Sequence, residues 1–207
     1  MASPPHNWIG SILGAAVLSL LSAQALAQPS WWVTASTGIG VYARIGTNNF
    51  LVDMLPAGLE RDAYSASVAI GHTLSKSPRA FVWESEMQVV QYQGRQGHWE
   101  LDTSILFRWR DFPWNGKIQT TLAIGDGLSL ASKTPVIEAQ RNARTSKLLN
   151  FLVIEGTFAI PQRSDARIVL RLNHRSGIYG LFGGVSAGSN FVSLGIRMPL
   201  ASLGGAP

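Results

Sequence analysis

Apolar and polar residues alternate along most of the chain from Trp31 onward. Successive side chains of a β-strand point to opposite faces, so this alternation predicts strands with one apolar and one polar face. Turn-forming residues separate the alternating segments. The predicted strands are Trp31–Ala43, Ala63–Ser75, Ala80–Gln93, His98–Arg110, Ile118–Ala131, Leu148–Ile160, Arg167–Tyr179 and Asn190–Leu200.

These segments predict an all-β fold, an eight-stranded antiparallel transmembrane β-barrel in the outer membrane of a Gram-negative bacterium. Each is long enough to cross a bilayer, since a tilted spanning strand needs about 9–11 residues. The connections KSPR, DFPWNGK and PQRSD are short, whereas Arg44–Asp62 and Ser132–Lys147 are long. Short turns at one end and longer loops at the other are typical of outer-membrane barrels.

The apolar faces carry Trp83, Trp99 and Trp109, and charged residues share the opposite faces. If the apolar faces meet lipid, the charged residues line the barrel interior and need partners of opposite charge. A soluble barrel such as a lipocalin would need the inverse arrangement, and the tryptophans argue against it. The predicted inward acids are Glu84, Glu86, Glu100, Asp102 and Glu155, and their predicted partners are Arg108, Arg171 and Arg175.

The composition agrees with a membrane barrel. Hydrophobic residues make up 46% of the 207 residues and charged residues only 14%, below the roughly 25% usual for soluble proteins. No stretch after residue 27 approaches the about 20 apolar residues of a helical span. The absence of cysteine excludes disulfides and thiol catalysis. The net charge is +5, and the basic residues are scattered along the chain. This favours outer-membrane lipids as partners and argues against nucleic-acid binding.

The N-terminal residues 1–27 are predicted to be a secretory signal peptide. The apolar run Ile12–Leu21 precedes Ala25, Leu26 and Ala27, a small-x-small cleavage site. The region before the run contains no Lys or Arg, so a retained membrane anchor is the alternative. The barrel is then assigned to residues 28–200, and the C-terminal ASLGGAP (residues 201–207) is predicted to be a tail.

Candidate chemistry lies near the C-terminal end, in the segment RIVLRLNHRSGI. His174 and Ser176 are two residues apart on a predicted strand, so they share a face with apolar neighbours. Antiparallel pairing of the next strand can bring Asn190 beside His174. The three residues comprise a hydroxyl nucleophile, a general base and an orienting group. His72 is assigned to the periplasmic end of its strand, and His98 to a loop.

An eight-stranded barrel with His-x-Ser late in its seventh strand resembles the lipid A 3-O-deacylase (PagL) family, whose members are often labelled acyloxyacyl hydrolases. The matching segments are NHRSGIYGLFGG, GSNFVSLGIR and, more loosely, GDGLSLAS. They cover the C-terminal third, and the rest matches by architecture. The resemblance implies an esterase that removes an ester-linked acyl chain from lipid A of lipopolysaccharide. Ser176 would be the nucleophile and His174 the base, with no cofactor or metal.

The sequence departs from this family at two site positions. Relatives have Asn directly after the serine, where it helps to bind the oxyanion, and this chain has Gly177. The backbone N–H groups near Gly177 and Ile178 are therefore the predicted oxyanion donors. Relatives orient the histidine with a Glu on the last strand, and the positional match here is Asn190. Asp126, on the lipid-facing side of the fifth strand, is an outside candidate for the acid.

A non-catalytic barrel that braces the membrane or binds a ligand stays open, because an amide replaces the expected acid. The loop residues Arg141, Arg144 and Lys147 could hold lipid A phosphates, or they could form an ordinary solvated loop. The pattern does not fix the acyl position that would be cleaved. It also leaves the oligomeric state open, with a homodimer among the options.

Overall fold

The computed structural model describes residues 31–42, 58–75, 80–141, 144–161, 165–185 and 188–203. Each strand pairs antiparallel with the next in sequence, and β1 also pairs with β8, which closes the barrel. The predicted eight-stranded antiparallel barrel is confirmed. The strands are β1 (Trp31–Val41), β2 (Leu59–Thr73), β3 (Phe81–Gly94), β4 (Trp99–Trp109), β5 (Gln119–Ala131), β6 (Leu148–Ala159), β7 (Arg167–Ser176) and β8 (Gly188–Pro199).

Two strand boundaries differ clearly from the predicted ones. β2 begins at Leu59, well before the predicted Ala63, because the β1–β2 register shifts at an irregularity that interrupts the alternation. β7 ends at Ser176 rather than Tyr179. Ile178 and Tyr179 have φ angles of 44° and 51°, which no β-strand accommodates.

Helical turns occupy two places where no secondary structure was predicted. Helix α1 (Val136–Arg141) lies within the long β5–β6 loop, and a short 3₁₀-helix (Leu200–Leu203) follows β8. No helix among the described residues combines the length and the apolar character that a membrane span requires. The predicted signal peptide, residues 1–27, and the last four residues of the predicted tail, 204–207, lie outside the described residues.

The outward faces of the strands are apolar, and the interior is polar. Large side chains such as Trp83, Trp99 and Leu170 are exposed on the outside, as expected for a barrel surrounded by lipid. At the end with the short turns, Phe81 stacks on Phe107 with ring centroids 5.0 Å apart. Such aromatic groups are typical anchors at a membrane interface. We call the opposite end, which carries the β1–β2 and β5–β6 loops, the outer end.

A network of ion pairs fills the middle of the barrel; it contains predicted acids and arginines together with Arg197, which was not a predicted partner, while Asp102 accepts from Gln88 instead of pairing with an arginine. Glu155 on β6 accepts from Arg108 at 2.6 Å, from Arg197 at 3.1 Å and from Arg171 at 2.9 Å. The three arginines reach Glu155 from β4, β8 and β7, so one carboxylate links distant walls of the barrel. The pairs Arg108–Glu84, Arg197–Glu84 and Arg171–Glu86 complete this charge network.

A second buried cluster lies at the outer end of the barrel. Arg175 on β7 pairs with Glu138 of α1 at 2.5 Å, and Ser189 of β8 donates to the same carboxylate at 2.9 Å. The Nη2 atom of Arg175 donates to the backbone carbonyls of Ser146 and Lys147. Desolvation raises the pKa of the Glu138 carboxyl above its ordinary value, although Arg175 opposes the shift. Arg175 thereby fastens the β5–β6 loop to the outer end of β7.

Candidate active site

The outer end of β7 carries His174 and Ser176 on the face that points away from the barrel interior. Arg175 lies between them in sequence and points inward, where it is held by Glu138 and the loop carbonyls. Because side chains alternate along a strand, the arginine points into the barrel and the two candidate catalytic side chains point outward. The anchored arginine limits the freedom of the backbone on both sides of it.

His174 and Asn190 lie directly opposite each other on β7 and β8. The Nδ1 atom of His174 is 2.6 Å from the Oδ1 atom of Asn190. Since an amide oxygen can only accept, Nδ1 carries the proton in this arrangement and Nε2 keeps its lone pair. A histidine that acts as a general base in a triad has the same tautomer.

Ser176 is the last residue of β7, at the point where the chain enters the β7–β8 loop. Gly177 begins this loop, and its carbonyl oxygen accepts from the N–H groups of Gly180 and Phe182. A Cβ atom at residue 177 would lie 2.1 Å from the carbonyl oxygen of Val185. This close approach requires glycine at position 177.

Asn150 is a fourth polar residue at this site, and it was not among the predicted site residues. It lies on β6 directly opposite Ser176, on the outward face. Its Nδ2 atom donates to Asp126 Oδ1 at 2.8 Å and to the Gly127 carbonyl at 3.1 Å. Only 5% of Asn150 is exposed. The structure thus connects Asp126, the outside candidate, to the position beside Ser176.

The sequence does contain a signal for Asn150. Asn150 and Ser176 lie equally far from Arg163, the middle residue of the PQRSD turn. In a symmetric hairpin, residues equally far from the middle of the turn pair with each other. Applied to this hairpin, the rule would have placed an asparagine beside the candidate nucleophile.

The loop that follows Ser176 presents apolar side chains to the surroundings. Tyr179 is 85% exposed and Leu181 is 76% exposed. Ile178 and Tyr179 also have positive φ angles, which are rare for β-branched and bulky residues. Such strain persists only where the surrounding contacts fix the backbone, and it is found often at functional sites. An apolar loop beside Ser176 could contact an acyl chain.

The three loop cations considered as phosphate ligands have different environments. Arg141 forms an ion pair with Glu60, so its charge is already matched by a carboxylate of the same chain. Arg144 lies against the β7–β8 loop, since a Cβ atom at Gly184 would come within 3.3 Å of its Nη1 atom. Arg144 and Lys147 are exposed. Of the three, Arg144 is the one placed against the loop that follows Ser176.

The other two described histidines lie in different surroundings. His72 packs against Trp31 at the end with the short turns, with ring centroids 4.6 Å apart. His98 lies in the β3–β4 connection, but its side chain is buried in the barrel and contacts Glu100 at 2.8 Å. No group of three His, Asp or Glu side chains that could hold a metal occurs in the described part of the chain.

Comparisons with known proteins address the fold. No family model and no curated protein matches the sequence. The structure is similar to that of the outer membrane enzyme PagL, with a TM-score of 0.57 at 15% identity, over 82% of this chain and 99% of that chain. The structures of Neisserial surface protein A (NspA; TM-score 0.49, 9% identity, 84% and 99% covered) and of the outer membrane protein OprG from Pseudomonas aeruginosa (0.39, 10%, 83% and 93%) are also similar. The chain has the fold of Gram-negative outer-membrane β-barrels.

Proposed function

We propose that this protein is an outer-membrane esterase that removes an ester-linked acyl chain from lipid A of lipopolysaccharide. The observation that carries the proposal is the hydrogen bond from His174 Nδ1 to Asn190 Oδ1, on the same outward face as Ser176. An oriented base and a hydroxyl on the membrane-facing surface suit an ester substrate that resides in the membrane. The sequence resemblance of this segment to lipid A deacylases points to the same reaction.

The proposed reaction has two steps. Ser176 Oγ attacks the ester carbonyl carbon while its proton moves to His174 Nε2, and the carbonyl π electrons become the oxyanion. The backbone N–H groups at Gly177 and Ile178 are the proposed oxyanion donors. The intermediate then expels the sugar alkoxide, which takes the proton from Nε2. Water then attacks the carbonyl carbon of the acyl-serine while His174 Nε2 takes its proton. The second intermediate breaks the bond to Ser176 Oγ, which takes that proton back, and the fatty acid is released.

The location of the site supports a lipopolysaccharide substrate. The site lies at the outer end, under the assignment of the long loops to the cell surface. The apolar side chains of Tyr179 and Leu181 suit contact with an acyl chain, and Arg144 beside the same loop suits a phosphate of the lipid A head group. One substrate would have to supply both groups, and lipid A does.

Mass spectrometry of lipid A tests the proposed function. We expect lipid A from cells that express the wild-type chain to lose the mass of one ester-linked acyl chain, relative to cells with an empty vector. Free fatty acid should appear when the purified barrel is mixed with lipopolysaccharide in detergent. Identical lipid A in both strains, together with no fatty-acid release by folded protein, would show that the chain is not a deacylase.

The non-catalytic barrel is the second candidate, and Asn190 is the observation that favours it. An amide orients the imidazole but leaves the imidazolium without the neighbouring negative charge that a carboxylate supplies.

Substitution at Asn190 separates the two candidates. For an esterase, Asn190→Asp should raise the rate of acyl release about 10-fold, because a carboxylate in contact with the imidazolium stabilises it. Asn190→Leu should lower the rate, because Nδ1 loses its acceptor. Fatty-acid release measured at saturating substrate checks both changes. A barrel in which the wild type and both folded variants release no fatty acid is non-catalytic.

A further inference from the structure

Polar residues form a band across the outward faces of β5 to β8. Within the described residues of these four strands, Asp126 is the one carboxylate that faces outward. A carboxylate on the lipid-facing surface is costly, so such residues usually serve a function. The members of the band are Asp126, Asn150, His174, Ser176 and Asn190.

The strand register brings Asp126 into line with His174. Asp126 pairs with Leu152 on β6, and Leu152 pairs with His174 on β7. Asp126 and His174 are therefore two strand spacings apart, about 10 Å between their Cα atoms. The hydrogen bond from Asn150 holds the carboxylate of Asp126 on the side that faces β6 and β7.

The proposed reaction needs a negative charge that Asn190 does not provide. Proton transfer from Ser176 creates an imidazolium on His174, and the amide of Asn190 is neutral. Opposite charges about 10 Å apart attract appreciably near a protein surface, where the effective dielectric constant is far below that of water. The attraction is strong enough to change a rate about 10- to 20-fold.

We propose that orientation and charge are divided between two residues at this site. Asn190 orients the imidazole of His174, and Asp126, held in place by Asn150, supplies the negative charge that stabilises the imidazolium. Asp126 and Asn150 are positioning residues and do not touch the reacting atoms. This inference rests on the proposed esterase function, and it assigns the electrostatic part of a triad to a residue two strands away.

Few other titratable groups face this side of the site. On the outward faces of β6 and β8, none of the described residues is titratable. The β5–β6 loop contributes Arg144 and Lys147, and the β7–β8 loop contributes Tyr179. Both cations disfavour an imidazolium, so the charge of Asp126 is the stabilising one among these groups.

The test is the pH dependence of fatty-acid release by the purified, folded barrel. Asp126→Asn keeps an oxygen that can accept from Asn150 and removes the charge. We expect its kcat/KM at neutral pH to fall about 10- to 20-fold, and the acid limb of its pH profile to move to lower pH. Asp126→Glu should retain most of the rate. Asp62→Asn removes an exposed charge on β2, where φ is 73° and asparagine is tolerated, and it should match the wild type.

A double variant tests the role of the charge in a second way. Asn190→Asp in the Asp126→Asn background places a charge directly beside the imidazole, and we expect it to restore the rate. An active wild type with an unchanged rate or an unchanged pH profile in folded Asp126→Asn would overturn this inference and leave the esterase intact. A folded wild type without fatty-acid release would overturn the esterase and this inference together.

Discussion

Substitution of Glu155 by Ala is expected to destabilise the barrel by about 3–5 kcal/mol, the cost of breaking a buried ion pair. Glu155 is fully buried and accepts from Arg108, Arg171 and Arg197. Its loss leaves three guanidinium groups inside the barrel with only Glu84 and Glu86 as carboxylate partners in this network. Equilibrium unfolding by urea in lipid vesicles, followed by tryptophan fluorescence, measures the change in the free energy of unfolding.

Three further variants separate the effect of charge from the effect of the cavity. Thr157→Ala, at the next inward position of β6, removes a neutral hydrogen bond to Thr121 and one buried methyl group but no charge, and it should cost about 1–2 kcal/mol. Glu155→Gln keeps the side-chain shape, so its destabilisation reports the charge. Adding Arg197→Met restores the balance of charges and should recover part of that loss. Equal stabilities for Glu155→Gln and the wild type would show that the network's charge balance contributes little.

The barrel could be predicted from the sequence because its outer surface faces lipid and its interior is polar. Every second residue must be apolar where lipid surrounds the barrel, and the inward acids require inward arginines. These two constraints predict the inward acids and arginines, whereas the individual pairs, such as Glu84 with Arg108 and Glu86 with Arg171, depend on how the walls of the barrel face each other. Helix α1 was not predicted, because six residues are too few to show a helical period within a loop.

Only those features of the site that follow from spacing along one strand, or from pairing within one hairpin, could be predicted. His174 and Ser176 share a face because they are two residues apart, and Asn190 follows from hairpin pairing with β7. Asn150 and the role inferred for Asp126 depend on the register of two further strand pairs. The end of β7 at Ser176 depends on contacts between Gly177 and Val185 across the loop, which no local pattern contains.

Substitution of Ser176 by Ala is expected to abolish acyl release, with a loss on the order of 10⁴-fold or more, if Ser176 is the nucleophile. The change removes one oxygen atom from the end of β7, and the described ion pairs of Arg175 do not involve it. We therefore expect the variant to fold like the wild type. Fatty-acid release gives the rate, and the mobility shift of unheated samples on gels reports the folded barrel.

Ser85 provides a matched control for this experiment. It lies on the outward face of β3, directly opposite His72, near the end with the short turns. Ser85→Ala therefore removes the same atom from an outward-facing serine that also lies beside a histidine, and it should leave acyl release unchanged. The difference between the two sites is the hydrogen bond between His174 and Asn190, together with the outer loops around Ser176. Equal losses in the two variants would point to a general effect of outward serines, and a folded Ser176→Ala barrel with full activity would exclude Ser176 as the nucleophile.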